Sequence, residues 1–141
     1  MAATGLLVSL VVPGLIHATR RSPLWRVLAL PWGMALPGFV LLHAAAVLAG
    51  PGGAEAAVVL AAVWFWLPVL GTRHRLTDAG RCVYLFLAVP LLDLPAVLVV
   101  ATGDSAGGLA MIVAMLPIGA LAAAVTWRWI TAEERRAACP D

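Results

Sequence analysis

"RCVYLFLAVPLLDLPAVLVVA", residues 81–101, decides how the whole chain is read. Behind Arg81 the run carries one charged side chain, Asp93, and it is long enough to cross a bilayer, which takes about 20 mostly apolar residues. The composition around it agrees. Of 141 residues 63% are hydrophobic and 11% charged, with a mean hydropathy of +1.01, whereas a soluble domain carries about 25% charged residues. Four more apolar segments flank it, at 3–17, 25–49, 55–71 and 107–130, the first and third of them short. The connectors "ATRRSP", "GPGGA", "GTRHRLTDAG" and "TGDSAG" are rich in Gly, Pro, Thr and Asp, as turns are. Residues 131–141 read as a short solvated tail. The expected fold class is all-α: one domain without internal repeats, an integral membrane bundle of five transmembrane helices.

Charge placement sets the expected orientation. All nine basic residues are arginines, at positions 20, 21, 26, 73, 75, 81, 128, 135 and 136. With five spans every one falls on the same side, and the opposite side receives Glu55 and Asp104. Cytoplasmic loops collect Lys and Arg, so the N-terminus is expected outside and the C-terminus in the cytoplasm. The first apolar run has no basic residues ahead of it and reads as a retained helix rather than a cleaved leader. Trp25, Trp64, Trp66, Trp127 and Trp129, with Tyr84, fall near the arginine-bearing ends and read as interfacial anchors.

Several function classes drop out. There is no basic tail, Gly-rich phosphate loop or aromatic–basic patch, so nucleic acid is not an expected partner. Cys82 and Cys139 are too far apart in sequence to suggest a disulfide framework or a zinc site. No nucleophile is paired with a base, Ser105 in "GDSAGG" included, and no carboxylate dyad is spaced for acid–base work, so no enzyme is expected.

The informative residues are the polar ones inside apolar spans. At 1.5 Å per residue, Asp93 lies about 12 Å below the outer end of its span and His43 about 9 Å below the outer end of its own. Such residues normally face a bundle interior or water. Pro90 and Pro95 flank Asp93 and remove backbone donors beside it. An intramembrane polar pocket of Asp93 and His43 is therefore one reading. A protonated Asp93 bonded to neighbouring backbone, or a metal or proton role, are the others. Met111 and Met115 stand one turn apart on one face of the last span, and Glu55 and Asp104 are outer-face acids. His17 and His74, beside arginines, read as headgroup contacts.

"WFWLPVLGTRHRLTDAGRCVYLFLAVPLL" and "GDSAGGLAMIVAMLPIGALAAAVTWRWITAEERR" together resemble the C-terminal part of the CtaG family of cytochrome c oxidase assembly proteins. The resemblance runs through Trp66 and Pro68, the Arg75–Leu76 pair, Tyr84–Leu85, then Asp104, Gly108 and Met111, and last Trp129, Glu133, Glu134 and Arg135. It implies a multi-span protein of the bacterial-type plasma membrane that helps deliver copper to the terminal oxidase, with respiratory-complex subunits as partners. His43 matches a family histidine. Glu55 stands where the family tends to place another, and only Met1–Thr4 stand where family members carry a histidine pair and further spans. His43, Met111 and Met115 are the implied metal ligands, and copper the only cofactor implied. The alternative expectation is a non-catalytic accessory subunit packed laterally on a respiratory or other membrane complex. A third is an ion pathway built on Asp93.

Overall fold

The structure is a computed structural model and describes residues 2–28, 31–50, 52, 54–71 and 75–138. Arg73, His74, Cys139 and the side chain of Arg26, all used in the sequence reading, lie outside the described residues. Among the described residues all regular structure is helical. α1 (Ala2–Leu6), a π-helical stretch (Leu7–Val11) and α2 (Val12–Ala18) run on as one rod, followed by α3 (Leu24–Leu28) and α4 (Trp32–Ala49). α5 (Ala54–Leu70), α6 (Asp78–Ala101) and α7 (Ser105–Ala138) complete the chain. Three helices, α4, α6 and α7, are long and apolar enough to cross a membrane, while Ala3–Ala18 and Ala54–Leu70 are apolar but shorter.

The helix limits differ from the apolar runs where local chemistry intervenes. The run 25–49 is not one helix. Pro31 caps α4 from an extended conformation, φ −57° and ψ 140°, because it offers no N–H and its ring disfavours helix before it. α6 starts at Asp78 rather than residue 81, since the Thr77 hydroxyl accepts the Gly80 N–H at 3.1 Å. The solvated tail is helical as far as residue 138 and forms the exposed end of α7. Good helix formers continue it, with Arg136 donating to Glu133 at 2.6 Å and Arg135 to the Thr131 carbonyl at 3.1 Å.

The π-helical stretch has a readable cause. The Val12 N–H reaches back five residues to the Leu7 carbonyl. The next carbonyl in that series, Val8, faces Pro13, which has no N–H to give. The indole Nε1–H of Trp66 supplies it instead, at 2.7 Å. Trp66 is 0% exposed. It is a core residue rather than the interfacial anchor its place near a helix end suggested.

The helices close into a ring. The first rod packs on α5 and α7, α5 on α4, α4 on α6, and α6 on α7. Ile16, Phe39, Phe65, Trp66, Leu85 and Ile118 fill the centre. An aromatic series crosses it, with Phe39 4.9 Å and Tyr84 5.4 Å from Phe65, centroid to centroid. The Tyr84 hydroxyl donates to the Phe65 carbonyl at 2.9 Å, so this ring too is turned inward. Large apolar side chains such as Leu41, Leu60, Leu94 and Leu116 cover the outside. At one end of the ring lie the start of α1, the α4–α5 turn and the α6–α7 turn; Arg75, Arg81, Arg128 and Arg135 gather at the other.

Candidate functional site

Near the chain start the ring does not fill completely. A cavity opens there between the first rod, α4, α5 and α7, with about 20 Å³ available to the centre of a water-sized occupant. That is room for one water or one ion. α4 contributes His43 to its wall, α5 contributes Glu55, and α7 contributes both Met111 and Met115. Thr4 and Gly5 of α1 complete the polar and open parts, and aliphatic carbons cover the rest. Helical periodicity explains the sulfurs: residues four apart share a face, and both methionines are buried.

His43 is the anchor. It is 5% exposed and stacks on Phe39, ring centroids 6.1 Å apart. The backbone of Leu92 on α6 faces its imidazole. Its Nε2 is buried without any hydrogen-bond partner. A neutral imidazole can present a lone pair at such a nitrogen, the form in which histidine serves as a ligand. At the mouth, the Thr4 hydroxyl donates to Glu55 Oε2 at 3.1 Å. Thr4 and Glu55 also line an open groove of about 660 Å³ between α1 and α5, so the Glu55 side chain borders both the cavity and the groove.

Close packing defines the site's walls. A methyl group at Gly5 would stand 2.7 Å from Ala114 Cβ, so only glycine lets α1 lie this close to α7. The Ser9 hydroxyl fastens the same pair of helices, donating to the Ala114 carbonyl at 2.9 Å. These contacts bring Met115 towards His43 from the far side of the ring.

Of the residues singled out from sequence, His43, Met111, Met115 and Glu55 share this cavity. Asp104 does not. Its carboxylate accepts the Gly107 N–H at 2.9 Å and caps α7 from the exposed α6–α7 turn. Asp93 is not among the cavity's lining residues either. It follows Leu92, which is buried in the core, and one residue along a helix turns the side chain about 100° away. Asp93 is half-buried, and its Oδ1 is enclosed without a hydrogen-bond partner. Thr4 escaped the sequence reading because nothing about a threonine near a chain start marks it. The Trp66–Val8 bond escaped too, although Pro13 advertised a carbonyl in need of a donor.

The donor set discriminates among metals. Among the described residues no three His, Cys, Asp or Glu side chains converge as metal ligands, which is what zinc sites and carboxylate-rich cation sites use. One imidazole with two thioethers instead suits Cu(I), a soft ion that accepts imidazole. No protein-family model, no curated protein and no solved structure matches the chain.

Proposed function

We propose that this chain is a membrane-embedded assembly factor of the CtaG type for cytochrome c oxidase, with Cu(I) as its cargo. In this reading five spans cross a bacterial-type plasma membrane, N-terminus outside and C-terminus cytoplasmic. The observation that carries it is the unpartnered, buried Nε2 of His43 in one cavity with the Met111 and Met115 sulfurs. A buried polar atom without a partner is costly in an apolar surrounding, and ligation would remove that cost.

The division of labour follows from the residues. His43 supplies the one nitrogen ligand, its ring stacked on Phe39. Met111 and Met115 supply thioethers, which favour the cuprous state. Glu55, at the opening on the groove, draws a cation from the outer face and offsets its charge without being the soft ligand that retains it. Two helices of 16–17 residues cover about 25 Å, slightly less than a 30 Å hydrocarbon core, a mismatch that local thinning accommodates.

Purified protein in mild detergent, titrated with Cu(I) against a competing chelator, tests the reading. One Cu(I) per chain with sulfur scatterers in X-ray absorption is expected. Binding should fall at least tenfold in His43→Ala and in the Met111→Leu, Met115→Leu double variant. Equal binding by wild type and His43→Ala, or none by either, overturns the copper role. The oxidase link is separate: cells lacking the chain should assemble an oxidase deficient in copper while retaining haem.

One observation favours a second reading, a non-catalytic accessory subunit held laterally by a larger membrane complex. Asp93 is half-exposed among apolar neighbours, and lipid offers the exposed part of its carboxyl no donor. A helix of a neighbouring subunit would. Co-purification with oxidase subunits at fixed stoichiometry, lost in Asp93→Leu, supports this reading; a free monomer in mild detergent rejects it.

A further inference from the structure

The opposite end of the ring holds a second, larger cavity that plays no part in the site above. About 450 Å³ in volume, it lies between the first turn of α6, the connector before it and the last third of α7. Four arginines line it, Arg75, Arg81, Arg128 and Arg135, together with the Trp129 ring. Asp78 is the single acid in the wall, and it is committed to Arg81 at 2.6 Å. Among the described residues no carboxylate pairs with Arg75, Arg128 or Arg135. Arg75 and Arg128 are both near enough to Arg81 to repel its charge. The wall thus carries four positive charges against one negative.

Such an arrangement is unfavourable unless an anion joins it. Two of the guanidinium groups are already aimed by bonds to the backbone: Arg81 Nε donates to the Leu76 carbonyl at 3.2 Å and Arg135 Nε to the Thr131 carbonyl at 3.1 Å. Arg81 Nη1 and both terminal nitrogens of Arg135 remain for a ligand, and guanidinium pairs match phosphate oxygens in fork geometry. The volume exceeds what a chloride or a single carboxylate fills. The place is the boundary between an apolar helix surface and the exposed end of α7, where a headgroup sits, and basic pockets between membrane helices are where acidic headgroups bind.

We infer that this cavity is a binding site for a phosphate group, carried by an acidic lipid or free in solution. The arginines grip the phosphate oxygens, and the Trp129 ring lies along the non-ionic part of a headgroup. The inference does not depend on copper or on the oxidase.

The test uses the full chain in a neutral detergent, with retained lipid counted by native mass spectrometry. Expected are one phosphatidylglycerol retained per chain and no phosphatidylcholine. Arg128→Gln, whose guanidinium makes no hydrogen bond or ion pair among the described residues, removes charge without loosening the fold. Combined with Arg81→Gln it should weaken retention about 30-fold. Arg20→Gln with Arg21→Gln, a charge-matched pair before α3 and outside the cavity, should leave it unchanged. Displacement by millimolar inorganic phosphate, or a phosphate-induced change in tryptophan emission lost in Trp129→Phe, would assign the site to the soluble anion; resistance to phosphate assigns it to the lipid. Equal retention of both lipids with no phosphate response refutes the site. So does equal weakening by the Arg20, Arg21 pair.

Discussion

Trp66→Phe is the sharpest perturbation of this fold, because the cost can be divided between two causes. The substitution removes the N–H that the Val8 carbonyl receives at 2.7 Å and leaves the ring's apolar packing largely in place. Val8 cannot turn to its own helix, since the position five residues on is Pro13. Losing the bond and stranding an acceptor away from water should cost about 2 kcal/mol. Exchanging indole for phenyl in a filled core should cost roughly 1 kcal/mol more. In a Pro13→Ala background residue 13 regains an N–H, so only the packing loss should remain, about 1 kcal/mol. The coupling between the two sites is therefore about 2 kcal/mol, well above the scatter of additive pairs. Unfolding in mixed micelles by added dodecyl sulfate, followed by helical circular dichroism, measures all four proteins. The same cost in both backgrounds would refute the reasoning and mean that Val8 finds its donor elsewhere.

Other positions give simpler expectations. Asp104→Ala removes the cap on Gly107 and should destabilise by about 1 kcal/mol, with faster hydrogen exchange confined to the first turn of α7. Gly103 sits at φ +111°, so Gly103→Ala strains the α6–α7 turn and should cost about 1–2 kcal/mol in the same unfolding assay. Gly5→Ala drives a methyl into Ala114 and should cost about 1–3 kcal/mol, and Ala114→Gly in the same chain should recover most of it. If Gly5→Ala proves neutral, α1 does not lie against α7 as described.

The sequence exposed the helices and their pairing of ends clearly, since apolar runs and turn residues are local signals. It also picked out His43, Met111, Met115 and Glu55 as residues out of keeping with their surroundings, and these four meet in one cavity. What it could not carry was the order of helices around the ring, which depends on contacts between segments distant in the chain, such as Ser9 with Ala114. Asp93 and His43 illustrate the same point: similar depth on two helices does not bring two side chains into one cavity, and only His43 lines it. Trp66 was misread for a related reason. Position near a helix end suggested the interface, but the missing donor at Pro13 on another helix drew it inside. At the end of α7 hydropathy falls at residue 131 and marked the solvated tail, whereas helix propensity, which continues the helix, does not fall.

α7 reaches from one of the two cavities to the other without interruption. Its 34 residues make a shaft about 50 Å long. The two sulfurs ride near its front tip and Arg128 and Arg135 near its rear, with Pro117 as a compliant joint one backbone bond weaker than the rest. One helix thus serves both compartments, so a change in its length or register would displace a wall of each.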